Sequence, residues 1–373
     1  MSSELALNTW LFKDERDIFN KKNNILAISY IVRVFAGYSV CLYLALADFN
    51  ILLNIAASFI AGMCIGQMFI IAHDSAHDAF METKKQNKVV SRICLFLPLH
   101  SYSLWKFFHN RNHHLQMHVK GTDIYWEPLT YAEYNALSYW KKGMYRLYRS
   151  VFGALPYYLI EMWAKSFIFP SNPLAKKEKE KHAREAWIVV SSMLIQIVAV
   201  YFIGHAVSDS KSSVEILFFG LVMPFLVWTW FVSFTFYMQH TNPKIGWHRK
   251  DEEFDFHLSS ILGSNRMMLP TPVHEMYMEV NEHIAHHLAP NIPLYNLKKA
   301  QRKFESVHHD LTLVIKNGLW EYPYNTKRCK LFDFERRCWV DFKNNPTGAY
   351  IMPLKDRLAQ IRNNTSQKDS VAA

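Results

Sequence analysis

Apolar residues fall into four long runs along this chain. Ile25 to Ala47 and Ile51 to Ala72 are almost continuously apolar, and Trp187 to Val207 and Ile216 to Tyr237 repeat the pattern. An α-helix rises about 1.5 Å per residue, so about 20 residues cross a hydrocarbon core of about 30 Å. The pattern predicts four transmembrane helices, at about 25–47, 51–72, 187–207 and 216–237, paired as two hairpins. Arg33 lies inside the first run, close enough to its start for the long side chain to reach the near surface. Two other stretches are expected to lie along the bilayer rather than across it. Val151 to Phe169 is apolar and aromatic but interrupted by Pro156, Glu161 and Lys165, and Ile93 to Trp105 is too short to span.

The polar remainder has a simple layout. A mixed-charge start (Trp10 to Lys22) precedes the first run, an insert occupies 73–186, and a tail occupies 238–373. The charge run Lys176 to Trp187 reads as a solvated helix at the membrane surface. With no internal repeat, low-complexity tract or Gly/Ser linker, the chain reads as a single membrane-bound domain. The first apolar run begins only at residue 25 and lacks a small-residue cleavage site, so no cleaved signal peptide is expected.

Charge adds an orientation. The chain carries 42 Lys+Arg and a net charge of +10. If the amino terminus is cytoplasmic, every basic residue outside the spans except Lys211 falls on that side, the strong form of the positive-inside bias. The expectation is a multi-pass integral membrane protein with both termini, the insert and the tail in the cytoplasm, in the inner membrane if the source is bacterial. The basicity then requires no nucleic-acid partner, and no nucleic-acid motif is present. Cys41, Cys64, Cys94, Cys329 and Cys338 are scattered without a C-x-x-C pair, which predicts neither a disulfide framework nor a cysteine metal site.

The chemistry lies in the histidines, 18 in all. "HDSAH" supplies His73 and His77, "HNRNHH" supplies His109, His113 and His114, and "HIAHH" supplies His283, His286 and His287. Residues three or four apart share one helix face, so each group can aim imidazoles at a common point. His240 in "YMQHTNP" stands just past the fourth run, as His73 stands at the end of the second. Eight or nine neutral nitrogen ligands are too many for one ion and suit two. Imidazole suits zinc, copper, iron and nickel; a structural zinc usually takes four ligands with cysteine among them, and no cysteine sits near these boxes. A redox iron pair fits the count, with zinc and copper left open by ligand type alone. Asp74, Asp78, Asp123 and Glu282 lie beside the boxes and are candidates to hold the far ring N–H groups, or plain surface acids. Met68, Trp105 and Trp126 lie near the boxes and are candidates to line a substrate channel, with belt or core packing as the competing reading.

These boxes, in this order among four spans, resemble the membrane fatty acid desaturases, the three-histidine-box di-iron family. "GTDIYWEPLTYAEYNAL", "YMQHTNP" and "HHLAPNIPLYNL" are similar to the acyl-lipid, methyl-end branch. The resemblance covers roughly residues 25–300. It implies that His73, His77, His109, His113, His114, His240, His283, His286 and His287 hold two Fe ions. It also implies that O2 and two electrons, from ferredoxin or cytochrome b5, remove two hydrogens from an acyl chain. No His-Pro-Gly-Gly haem motif is present, so the donor is expected to be a separate protein. His283 stands where front-end desaturases with a fused cytochrome b5 have glutamine. Box two has three residues between its first two histidines, where many methyl-end members have two.

The fold expected is all-α: four transmembrane helices capped by a cytoplasmic helical domain. The function expected is desaturation of an acyl lipid. A same-scaffold oxygenase, such as a carotenoid ketolase or hydroxylase or a lipid or alkane hydroxylase, is the rival within enzymes. A membrane metal transporter is the rival outside them, although transporters place their ligands near the bilayer midplane.

Overall fold

The computed structural model describes residues 16–169, 179–252, 254–357 and 359–360. The chain before residue 16, the first residues of the 176–187 charge run and the end of the tail lie outside the described residues.

Helix α1 (Asn24–Leu46) starts where the Asn23 side chain accepts the N–H of Leu26 at 3.0 Å, and α2 (Ile51–Ala76) starts likewise on Asn50. Each cap satisfies one of the donors that a helix start leaves free. A reciprocal Thr83/Gln86 capping box starts α3 (Lys84–Cys94). Two more long helices follow, α4 (Lys179–Val207) and α5 (Ser213–His240), the latter with a π-helical turn at Phe218–Val222. Among the described residues, α1, α2, α4 and α5 are the helices long and apolar enough to cross a membrane.

Their surroundings differ. The apolar stretch of α2 is 72% buried, packed by α1, α3 and α5, whereas the corresponding stretches of α1 and α4 are 11% and 22% buried. Ile25 and Leu52 at the first turns of α1 and α2, with Leu194 and Phe202 on α4, are large, apolar and uncovered by protein. Three helices also outrun the apolar runs that predict them; α4 begins at Lys179, within the charge run ahead of Trp187. The polar residues His73, Asp74 and Ser75 continue α2 because all three are sealed inside the protein, and α5 likewise continues through buried Gln239 and His240.

The insert and tail are mostly short helices. Val151 to Phe169 forms a helical turn at Ala154–Tyr157 and a π-helix at Tyr158–Ile168, with Phe152 and Phe169 at its two ends well exposed. The tail contributes α6 (His283–Leu288) and α7 (Leu294–His308). It also contains two small sheets that the all-α expectation omits. Arg266–Met267 pairs in parallel with Val314–Ile315, and Leu331–Asp333 pairs antiparallel with Cys338–Val340. Strands of two or three residues are too short to leave an alternating signature in the sequence. All five cysteines are free.

Candidate metal centre

Box one rides on the last turn of α2. His73 is inside the helix and His77 caps it, one turn on, so both rings leave the same face. Box three forms α6, where His283 and His287 share one face and His286 turns to the next. Box two is wound differently. Lys106–His114 is a π-helix, in which residues five apart stack. His109 and His114 are five apart, and their Nε2 atoms stand 3.0 Å from each other. The extra residue in "HNRNHH" is thus absorbed by the wider turn.

The nine imidazoles sort into two groups. His73, His77, His109, His114 and His286 bring one ring nitrogen each to within 4.8 Å of one another, and so do His113, His240, His283 and His287. Nε2–Nε2 separations are 2.7 Å for His73 and His109, 3.2 Å for His113 and His240, 2.8 Å for His240 and His283, and 3.1 Å for His283 and His287. The two groups are neighbours: His114 of the first stacks on His287 of the second, with ring centroids 4.2 Å apart. Boxes two and three each contribute to both.

A neutral imidazole has one donor and one acceptor nitrogen, so nitrogens that converge in this number cannot all satisfy one another. His77 Nε2 and His286 Nε2 are buried with no hydrogen-bond partner. A cation at each focus would satisfy them. Neither group contains a carboxylate or a thiolate, a donor set that fits iron, zinc or copper and not magnesium or calcium. Burial, reinforced by neighbouring imidazoles, holds His77, His109, His114, His283, His286 and His287 well below the ordinary histidine value. They are neutral at pH 7 and their lone pairs are free for a metal.

The same shifts give a pH dependence. The folded state binds fewer protons than the unfolded state below the ordinary histidine value of about 6.5, so the stabilisation is complete above that pH and is lost as the pH falls through it. Metal-free protein is therefore expected to show a falling Tm from about pH 7 to about pH 5. A Tm that stays flat across this window would contradict the neutral, buried state of the cluster.

Of the four acids named from sequence, Asp123 contacts an imidazole. Its Oδ2 accepts from His113 Nδ1 at 3.0 Å and from the His118 backbone N–H at 3.0 Å, and its Oδ1 accepts from the Tyr125 N–H at 3.1 Å. Burial opposes its charge, but His113, His118 and these bonds bring the carboxyl below its usual value. The other three bond elsewhere because backbone or cationic partners lie closer. Asp74 accepts the Leu294 N–H at 3.1 Å, Asp78 pairs with Lys106 at 3.3 Å, and Glu282 pairs with Arg266 at 2.7 Å. His240 Nδ1 donates to the Gly263 carbonyl at 3.1 Å.

His118, unmarked by the sequence reading, is fully buried with its ring beside His240 and Trp247 and both nitrogens unpartnered. Its signal was the four-residue spacing from His114 in "HHLQMH". Trp105 stacks on His109 with centroids 4.6 Å apart and the planes 18° from parallel, Trp126 stacks on Tyr157, and Met68 is in the core of α2. A separate apolar cavity of about 30 Å³ opens between α2 and α5. Phe69, Phe231 and Phe236 wall it, and His73 and His283, one from each group, reach it.

The fatty acid desaturase family model matches residues 50–313. The chain is 25% identical to a fatty acid desaturase of Bacillus subtilis (strain 168) over 86% of each chain. It is 25% identical to an sn-1 acyl-lipid omega-3 desaturase (ferredoxin) of Nostoc sp. (strain 36) over 71% of each. It is also 25% identical to an sn-1 oleoyl-lipid 12-desaturase of Picosynechococcus sp. over 78% of this chain and 80% of the other. The family match spans α2, α4, α5 and all nine clustered histidines; the chain belongs to the fatty acid desaturase family, whose members are oxidoreductases that carry out an O2-dependent oxidation of acyl chains.

Proposed function

We propose that this protein is an acyl-lipid desaturase that introduces a cis double bond into an acyl chain. It does so with two iron ions, O2 and two electrons from a separate ferredoxin- or cytochrome b5-type donor. The observation that carries the reading is the division of nine imidazoles into two adjacent, buried, all-nitrogen groups in a chain of this family. Iron bound there with O2 supplies the hydrogen-atom removal that an unactivated methylene demands and that no side-chain base can perform.

The protein's own residues supply position and dryness. His73, His77, His109, His114 and His286 hold one ion, and His113, His240, His283 and His287 hold the other. Asp123 orients His113 through its Nδ1–H, which fixes the ring and raises its basicity toward the metal. Trp105 and Tyr125 pack against His109 and His113 and keep bulk water from the site. Phe69, Phe231 and Phe236 offer an apolar wall to the acyl chain within reach of both groups; reacting atoms must be placed closely, since displacement by about 1 Å can cost about 100-fold in rate.

The membrane arrangement follows from what the helices leave uncovered. Helices as apolar and as exposed as α1 and α4 need lipid around them. In this reading α1, α2, α4 and α5 cross the bilayer as two hairpins, and both termini, the insert and the tail face the cytoplasm. The metal centre then sits at the cytoplasmic mouth, where the acyl chain arrives from the bilayer and the reductant from water. The ferredoxin named for the Nostoc relative is the kind of donor this placement admits.

Expression in a bacterial host, followed by gas chromatography and mass spectrometry of total lipids beside a His283→Ala control, tests the reading. New unsaturated acyl chains that vanish in the control are the expected result. Hydroxylated or ketonised products would replace desaturation by oxygenation on the same scaffold, and an unchanged lipid profile from iron-loaded, reductant-supplied protein would contradict the proposal.

A further inference from the structure

We propose that Phe231, seated against Gly66, forms the floor of the acyl cavity and sets how far a substrate chain extends beyond the metal centre. The inference rests on the desaturase reading and adds a determinant of substrate length to it.

The argument begins with depth. Phe231 precedes His240 by nine residues on α5, and Gly66 precedes His73 by seven on α2, so both lie roughly 10–13 Å below the metal-binding ends of their helices at about 1.5 Å per residue. They face each other at that depth. A Cβ built on Gly66 would fall 2.7 Å from Phe231 Cδ1 and 3.0 Å from its Cε1, closer than carbon atoms approach. The glycine is therefore what lets the ring come this close to α2. On another side the ring meets Tyr277, with centroids 4.5 Å apart, and Tyr277 is itself buried. Held between Gly66 and Tyr277, Phe231 has the cavity as its open side.

What lies below the ring closes the argument. One turn deeper on α2, a Cβ on Gly62 would meet the Pro224 carbonyl oxygen and Val227 Cβ, each at 2.7 Å. The two helices touch backbone to backbone there, and no acyl chain can pass between them. Above the ring the cavity continues past Phe69 and Val232 to His73 and His283. The space is small, about 30 Å³, so the position of a single aromatic ring decides its depth.

The consequences run in opposite directions for the two residues. Removing the ring in Phe231→Ala extends the cavity by about one helical turn, roughly 5 Å, the length of several methylenes. Adding a methyl in Gly66→Ala drives the ring into the cavity and shortens it. The combination Gly66→Ala/Phe231→Ala removes the clash and reopens the space.

The test supplies the four proteins, in one host, with saturated and monounsaturated acyl chains of graded length, and reads product length, double-bond position, iron content and Tm. Phe231→Ala is expected to move the product distribution to longer chains. Gly66→Ala is expected to lower turnover of the wild-type substrate about tenfold or more at unchanged iron content, and the double variant to restore turnover. Phe231→Leu, a milder change, is expected to give a smaller shift in the same direction. An unchanged length profile in both Phe231 variants, or failure of the double variant to rescue, would overturn the inference, as would losses that track iron content and Tm alone. If the wild-type protein formed no unsaturated product, the desaturase reading itself would fall; a productive wild type with indifferent variants would remove only the floor.

Discussion

Replacing His287 with alanine is expected to reduce double-bond formation to background while the protein still folds and inserts. His287 is one of the four nitrogens of the second group, 3.1 Å from His283 Nε2, and its ring is also the one on which His114 of the first group stacks. Loss of one nitrogen in four leaves too few protein ligands to hold an ion firmly, whereas the first group keeps its five. Iron should fall from two toward one per chain. The structural cost is that of one buried ring, about 1–3 kcal/mol, too small to prevent insertion of four apolar helices. His109→Ala should fail in the complementary way, at the first group. Iron analysis of membrane-extracted protein beside lipid product analysis checks both; retained turnover in either variant would remove that histidine from the ligand set.

Asp123→Ala carries the second-largest expected effect. The carboxylate accepts three hydrogen bonds and is the carboxylate that touches a clustered imidazole among the described residues. Its removal frees the His113 ring to rotate and leaves two backbone N–H groups without their acceptor. Partners of this kind are worth about 10–100-fold in metal affinity or activity. Asp123→Asn keeps the shape and can still accept from the ring, so it should retain more iron than Asp123→Ala when both are challenged with a chelator. Equal iron loss rates in wild type and both variants would deny Asp123 a positioning role.

Much of this was legible in the sequence because the relevant signals are local. Four apolar runs became four long helices, and the eight box histidines could be named from spacing alone; His240 could be named from its place at the end of a run. How the boxes would be dealt between two foci was not legible. An α-helical reading of "HNRNHH" pairs His109 with His113 at four residues, but the π-helix pairs His109 with His114 at five and sends His113 to the other group. Winding of that kind depends on tertiary packing, here Trp105 stacked on His109 and Asp123 bonded to His113.

The acids show the same limit. Asp74, Asp78 and Glu282 stand next to a box histidine in sequence and Asp123 lies further off, past the end of box two, yet it is Asp123 that meets an imidazole, and the other three meet backbone or basic groups brought in from 16 to 220 residues away. Lys106, Arg266 and Leu294 could not be placed beside them without the fold. His118 was missed for the converse reason, since its four-residue spacing from His114 is a weak signal until its ring is seen buried against His240 and Trp247. The small tail sheets and the cavity between α2 and α5 likewise depend on contacts between distant segments.

The central claim is that nine histidines build a two-iron centre. Metal analysis of the purified, iron-supplemented protein, with Mössbauer spectroscopy of the bound iron, tests it most directly. Two irons per chain, coupled to each other and reduced in number by His109→Ala and by His287→Ala, are the predicted result. A single ion per chain, a pair of zinc ions that iron does not displace, or an iron content indifferent to both substitutions would contradict it.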